Sequence, residues 1–498
     1  MDVLTNVLYG FQVALQPINL IYCFFGVLIG TLVGVLPGLG PAAAIALLLP
    51  STFKATPVSA IIMLAGIYYG AMYGGSTTSI LVNIPGEAAS VVTCLDGYQM
   101  ARRGRAGPAL GIAAFGSFIA GSFAVIALTF LGPLLAGLAL RFGPPEYFSL
   151  MIVGITVLTF LSGGSMVKSL MMASVGLIIG GVGMDAISGK YRFTYGIQVL
   201  ADGMGLVPTV MGLFGISEVL LNLETQIQRD IFAARIKNLF PSLRDWADSI
   251  WSIIRGTVLG FFMGIIPGGG AIVASFASYA IEKKFSKHPE EFGKGAIQGV
   301  AGPEAANNSA AGGSFIPLLT LGIPANAVMA IFLGALMIHG LQPGPLLMTS
   351  APDLFWGTIV SMYIGNAMLL VLNLPLIPLW VRVLKVPYYL LYPLILLFCL
   401  VGAYSIGNNA GDVISMLIFG IVGYLMRKFH YDGAPMVLAL VLGPMLEEAL
   451  RQSLILSQGN FSIFVSRPLS LCFLILAVLL LIIPIVTQRK TLAALEEE

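Results

Sequence analysis

GVLPGLGPAAAIALLLP, residues 34–50, decides the fold: a Pro-Gly-Leu-Gly-Pro break lies inside a segment otherwise apolar enough to cross a bilayer. A second break follows in YGGSTTSILVNIPGEAAS, residues 73–90. Both return in the second half, as GIIPGGGAIVASF (264–276) and AGGSFIPLLTLGIPANAV (311–328). Pro37 and Pro267 lie 230 residues apart, Gly75 and Gly313 238, Pro85 and Pro324 239, and the Gly-Pro pairs beginning at Gly107 and Gly344 237. Four matches in the same order at nearly constant offset read as an internal duplication. In hydrocarbon, a break frees backbone groups that lipid cannot satisfy, so it must face protein or a water-filled cavity.

Composition agrees with a membrane chain. Hydrophobic residues make up 57% of the 498 and charged residues 10%, with a mean hydropathy of +0.94; a soluble domain carries about 25% charged residues. Charge-free runs at 55–86, 106–140, 354–381, 386–411 and 468–488 can each supply an apolar span, which needs about 20 residues. The expected fold is an all-α polytopic membrane protein of two homologous repeats with paired broken or re-entrant helices, about 10–12 spans in all. A net charge of +2 gives no electrostatic case for nucleic-acid binding. Cys23, Cys94, Cys399 and Cys472 stand singly, and His288, His339 and His430 are scattered, so neither a metal site nor a cofactor is predicted.

The organisation reads as an interfacial N-terminal helix (1–17), repeat 1 (18–222), an amphipathic linker (223–255) that includes LETQIQRDIFAARIKNLF, repeat 2 (256–488) and a tail (489–498). Arg255 and Lys283, Lys284 and Lys287 flank the PGGG break, which suggests a re-entrant hairpin with Pro267–Gly270 at its tip; the first-half counterpart has only Lys54 nearby. The loop after the second break is basic in the first half (Arg102, Arg103, Arg105) and holds only His339 in the second. This exchange of basic loops is what two repeats of opposite orientation would show.

A half-helix that starts at a break points its partly positive N-terminus into the cavity, where a carboxylate is the natural guest. Freed carbonyls and hydroxyls are ligands for a cation. The candidate substrate-binding residues are Pro37, Gly38, Gly40, Gly74, Gly75, Ser76, Thr77 and Thr78 in the first half, with Pro267, Gly268, Gly269, Asn307, Asn308, Gly312, Gly313 and Ser314 in the second. Candidates for a coupling ion are Ser79, Asn83, Pro85, Glu304, Pro324 and Asn326. Each has a plainer reading. The hydroxyls can bond back to their own helix, and the glycines can allow close helix contact. Glu304 can be a first-turn acid after Pro303, and Glu87 shares that ambiguity or faces headgroups. Glu447-Glu448 reads as a solvated helix end. The adjacent amides Asn307-Asn308 need partners on two faces.

Beyond these physical readings, GVLPGLGP, YGGSTTSIL with NIPGE, DGYQMARRGRAGPALG, PEAANNSAAGG, LGIP and IHGLQPGP resemble the large membrane subunit of the tripartite tricarboxylate transporter family, from about residue 26 to past Glu448. The departures are Ser309 and Ala325, where Ala and Gly are expected. The resemblance implies a multi-pass subunit of a secondary transporter in a bacterial inner membrane. Its partners would be a small four-span membrane subunit and a periplasmic solute-binding protein. The substrate would be a carboxylate such as citrate, driven inward by a coupling cation, Na⁺ or H⁺. Rival readings are a carboxylate carrier acting alone, a channel, and a polytopic membrane enzyme, which would need a catalytic cluster that the isolated Glu304 does not supply.

Overall fold

Long uncharged runs of Leu, Ile, Val, Ala and Gly can satisfy their backbone in lipid only as helices, and the chain is helical almost throughout. The computed structural model describes residues 3–36, 40–161, 165–185, 187–224, 238–268, 270–384, 386 and 388–496. The first half holds α1 (Val3–Ala14), α2 (Pro17–Val35), α3 (Pro41–Leu48), α4 (Pro57–Val82), α5 (Val91–Met100), α6 (Ala106–Ala139), α7 (Pro144–Leu161), α8 (Met166–Gly180), α9 (Leu206–Val210) and α10 (Ser217–Glu224). The second opens with α11 (Leu243–Ile265), α12 (Gly270–Phe285), α13 (Gln298–Gly313), α14 (Phe315–Leu321), α15 (Ala327–Ile338), α16 (Leu347–Ser350) and α17 (Pro352–Asn373). It closes with α18 (Ile377–Val383), α19 (Tyr388–Gly407), α20 (Ala410–Lys428), α21 (Ala434–Leu456), α22 (Ile463–Ser466) and α23 (Pro468–Glu496). Between α8 and α9, β1 (Gly183–Met184) and β2 (Tyr191–Arg192) form a short antiparallel ribbon.

Glycines spaced by four set the central packing. A Cβ on Gly26, Gly30 or Gly34 of α2 would lie 2.4, 2.6 or 2.2 Å from the carbonyl oxygens of Met63, Ile67 and Ala71 on α4. In the second half a Cβ on Gly256, Gly260 or Gly264 of α11 would lie 2.3, 2.1 or 2.2 Å from those of Gly302, Ala306 and Ala310 on α13. Such approach permits backbone-to-backbone dispersion and Cα–H···O contacts, the main source of helix association where lipid is as apolar as the helix. The contact numbers rise together, so α2 runs parallel to α4 and α11 to α13. The chain therefore doubles back between the members of each pair. In the second half, the return is a hairpin of α11 and α12 held by Arg255 Nη2 on Glu282 Oε2 (2.6 Å), with the PGGG break at its tip.

α4 is buried from Val58 to Val82 and α13 from Gly299 to Gly313, so the helices that carry the Ser-Thr-Thr-Ser and Asn-Asn clusters sit at the centre, shielded from lipid. They cross antiparallel: Tyr68 meets Phe315 and Asn326, whereas Ser76 meets Glu304. Outward faces of α2, α6, α19, α20 and α23 expose Phe24, Phe130, Phe398, Ile421 and Leu479, a surface suited to hydrocarbon. Among the described residues, six helical stretches are long and apolar enough to cross a membrane, set against the expected 10–12. Shorter apolar helices, among them α8 and α15, lie beside these six. The chain is an all-α polytopic membrane protein.

α1 docks on α17, where a Cβ on Gly10 would lie 2.7 Å from Trp356 O. α11 runs unbroken through residue 255, the expected end of the linker. The amphipathic stretch proposed there lies, at 225–237, outside the described residues. Glu447 is not a solvated end: Arg192 Nη1 holds its two carboxylate oxygens at 2.9 and 3.1 Å, and Arg451 Nη2 sits 2.5 Å away. In the same polar cluster, the Ser188 hydroxyl, aided by Arg451, holds the Asp185 carboxyl well below the usual carboxylate range.

Candidate functional site

Each break ends where a new helix must begin, and proline and capping side chains start those helices locally. Pro41 opens α3 after Gly40, its fixed φ already helical. Asn83 closes α4 in the left-handed region (φ 59°), and the chain then folds back along α4: the Ser79 and Ser90 hydroxyls meet at 2.9 Å, and a Cβ on Gly75 would lie 2.8 Å from Glu87 Cγ. Glu87 caps the next turn, its Oε2 accepting from Ala89 N at 2.7 Å. In the second half, Gly322 closes α14 in the left-handed region (φ 72°), and Asn326 caps α15, its Oδ1 accepting from Met329 N at 3.0 Å. Gly268 N donates to Ala325 O at 2.6 Å, which ties the two second-half breaks together.

All four breaks reach one cavity of about 310 Å³. Gly40 and Pro41, Glu87 and Ala88, Gly268 and Gly270, and Asn326 and Ala327 line it, with Tyr68 and Met72 of α4 between them. The remaining wall comes from elsewhere in the chain: Phe214, Glu218 of α10, Arg427 of α20 and Asp432. Arg427 is ion-paired to Glu218 at this rim. The N-terminal ends of α3, α12 and α15 therefore put partial positive charge around a mainly apolar chamber, with one guanidinium at its edge. This arrangement suits a small anion held by N–H groups, loosely enough to leave.

Among the predicted residues, Gly40, Gly268 and Asn326 line the cavity. Pro267 immediately precedes Gly268, and Pro85 and Pro324 each stand two residues before Glu87 and Asn326, as the turns demand. Pro37, Gly38 and Gly269 lie outside the described residues.

The other predicted residues form the seam that holds the chamber's helices rather than its lining. Gly74 presses on Thr31 O, Gly313 on Phe261 O and Gly312 on Ala124 Cβ. Thr78 donates to Val35 O (2.6 Å), and Ser314 bonds back to Ala311 O of its own chain turn (2.7 Å). Ser76 and Thr77 border a gap of only about 10 Å³ beside Tyr73 and Ser117. Asn83 is exposed at its turn.

The first-turn reading of Glu304 is corrected by the structure. The residue lies well inside α13, which begins at Gln298, and is 0% exposed. Ser76 Oγ donates to its Oε2 at 2.5 Å, Thr93 donates to its Oε1, and Asn307 Nδ2 donates to Oε2 at 3.2 Å. Asn308 Nδ2 turns the other way, to Ser117 Oγ on α6 at 2.8 Å. The two amides thus do find partners on two faces, Asn307 on the Glu304 carboxylate of its own helix and Asn308 on the Ser117 hydroxyl of α6.

Sequence reasoning did not single out Tyr68, which precedes the second break on α4, or Glu218, Arg427 and Asp432, which lie far from the breaks in the chain. It also passed over Asp96, whose Oδ1 accepts from Gly293, Gly295 and Ala296 N at 2.7–2.9 Å and whose Oδ2 accepts from Tyr279 Oη at 2.9 Å. This buried carboxylate clamps α5 to the loop before α13.

Comparison with known proteins places this architecture. The sequence profile of the tripartite tricarboxylate transporter TctA family matches residues 20–438. An uncharacterised 52.8 kDa protein in the TAR-I ttuC′ 3′ region of Agrobacterium vitis is 50% identical over 501 residues, 100% of each chain. An uncharacterised protein in the TAR-II ttuC′ 3′ region of the same organism is 50% identical over 242 residues, 48% of this chain and 100% of its own. No solved structure matches. The family is one of membrane transport proteins, not enzymes, and its profile spans all four breaks and every residue that lines the cavity: the chain belongs to the tripartite tricarboxylate transporter TctA family.

Proposed function

We propose that this chain is the substrate-carrying membrane subunit of a secondary transporter that imports an organic carboxylate, a di- or tricarboxylate such as citrate, on a Na⁺ or H⁺ gradient. One observation carries the reading: the break ends of both halves meet at a single cavity rimmed by helix N-termini. A carboxylate bound there accepts hydrogen bonds from N–H groups that have no partner within their own helices. Arg427 offers a second charge contact for a substrate with more than one carboxylate. Family membership supports two partners, a small membrane subunit and a periplasmic solute-binding protein that delivers the substrate. It likewise supports the bacterial inner membrane as the location.

The halves are inferred to be inverted repeats. Three features support this: the matched glycine contacts, 230 residues apart on α2 and α11; the parallel pairs α2 with α4 and α11 with α13; and the antiparallel crossing of α4 and α13. Two such units related by an axis in the membrane plane provide alternating access around a shared midplane site.

The test is uptake of labelled succinate and citrate into membrane vesicles that hold both membrane subunits, with and without the binding protein, under imposed Na⁺ or pH gradients. The expected result is saturable, gradient-driven accumulation that depends on the binding protein. Flux that does not saturate and never exceeds equilibrium would establish a channel instead. Saturable accumulation without the binding protein would establish a carrier acting alone.

A further inference from the structure

We propose that the Glu87 carboxylate carries the coupling positive charge, a sodium ion or a proton, at the cavity; this rests on the carboxylate-transport reading above. Glu87 lines the chamber while only 6% exposed. Its Oε2 is occupied by Ala89 N, and its Oε1 is buried with no hydrogen-bond partner. No ion pair to it occurs among the described residues, and the chamber's guanidinium, Arg427, is engaged by Glu218. A carboxylate enclosed this way is tolerated only when a positive charge or a proton joins it.

The other buried acid at the centre does not present the same vacancy. Glu304 receives donors on both oxygens, and it lies off the cavity. Asn308 Oδ1 is also without a partner, but it sits in the seam with α6 and carries no charge. The groups that face Glu87 are Tyr68 on α4, Glu304 on α13, and Glu218, Arg427 and Asp432 across the chamber. α12 brings only Gly270, Ala271, Ile272 and Val273 to the lining. Acids therefore outnumber the one base, and neutral oxygen is at hand in Tyr68 Oη, which accepts from Asn326 Nδ2 at 3.3 Å.

Coupling follows from Coulomb's law. An anionic substrate entering beside an ionised Glu87 is repelled, whereas with Na⁺ or H⁺ in place the repulsion is gone. Each ligand then raises the affinity for the other by the same factor. The matching position in the second half, 239 residues on, is the uncharged Asn326, so one side of the chamber carries this function.

Glu87→Gln keeps the side-chain oxygen that caps Ala89 and removes the charge. In vesicles holding the full transporter, exchange of labelled citrate or succinate by the variant across a membrane without gradients should no longer respond to Na⁺ or pH. Its gradient-driven accumulation should fall by at least about tenfold, in the usual range for linked sites, and its apparent KM should lose its cation dependence. In wild type, a KM that falls with Na⁺ at fixed pH assigns the site to sodium, and one that falls with acidification at fixed Na⁺ assigns it to the proton. A Glu87→Gln protein that concentrates substrate with wild-type Na⁺ and pH dependence overturns the proposal while leaving the transport reading intact. Absence of exchange in wild type itself would sink the transport reading and this inference with it. If the Gln variant does not fold, Glu87→Asp serves: a shifted Na⁺ half-saturation or pH profile supports the assignment, and unchanged cation dependence overturns it.

Discussion

The first-half and second-half breaks are built on the same scaffold and differ where they meet the cavity. Each pairs a helix bearing three glycines with a parallel neighbour, reaches its second break through a left-handed residue, which closes α4 itself in the first half and the following α14 in the second, and starts the next turn or helix with a capping side chain. The left-handed residue is Asn83 in one half and Gly322 in the other, the cap is Glu87 or Asn326, and the residue before the cap is Gly86 or Ala325. Scaffold positions are set by backbone contact and allow little choice. Cap positions face the chamber, and there one half carries a charge and the other an amide. A shared frame can thus hold two chemically different walls, which is what a site that binds an anion and a cation together requires.

The largest effects should fall on the frame, equally in both halves. Gly34→Leu and Gly264→Leu each drive a side chain into a carbonyl 2.2 Å from the new Cβ, at a cost of about 3 kcal/mol or more. Melting temperature and monodispersity in detergent should collapse for both. Collapse of one alone would break the equivalence of the halves. The next effect should be one-sided. A Cβ on Gly86 would lie 1.9 Å from Gly34 O and 2.6 Å from Gly75 Cα, so Gly86→Ala should cost about 2 kcal/mol. Ala325→Gly should cost less than about 1 kcal/mol, through chain entropy only. Equal losses for the two would mean that the cap approaches are not distinct after all.

Smaller again is the effect at the rim. Arg427→Gln should raise KM for a dicarboxylate about tenfold, roughly 1.4 kcal/mol of binding, with Vmax nearly kept and a monocarboxylate little affected. This would sharpen the comparison by showing that the chamber's third wall, outside both break pairs, reads substrate charge. An unchanged KM would leave substrate recognition to the breaks alone.

The sequence carried the frame far better than the lining. Gly26, Gly30 and Gly34 recur 230 residues later as Gly256, Gly260 and Gly264, the same offset as Pro37 and Pro267, so the close helix pairs were legible from spacing alone. The breaks themselves were legible because proline and glycine act locally. Asn307 and Asn308 show the limit. Two adjacent amides in an apolar run announce that partners exist, yet whether those partners are ligand or protein depends on Ser117 and Glu304 arriving from other turns and helices. Arg427, Glu218 and Asp432 gave no signal, since a lone charge near a helix end ordinarily marks a membrane interface. Only tertiary packing brings them to a cavity formed by residues hundreds of positions away.

The finest test of the comparison concerns the two left-handed turns. A non-glycine residue in this region is tolerated best when it is Asn, and Asn83 sits exposed with room for its side chain, so Asn83→Gly should change stability by less than about 0.5 kcal/mol. Gly322 is buried, and a Cβ there would lie 2.6 Å from Pro343 O in the loop after α15. Gly322→Ala should therefore cost about 1 kcal/mol from conformation, with the clash adding to it, and lower the melting temperature where Asn83→Gly does not. The asymmetry arises because the loop after α15 folds back onto its turn, while the first-half turn stays open at the end of α4. If both substitutions prove neutral, the second-half turn is not held by that loop, and the cap at Asn326 must fix the wall of the chamber unaided.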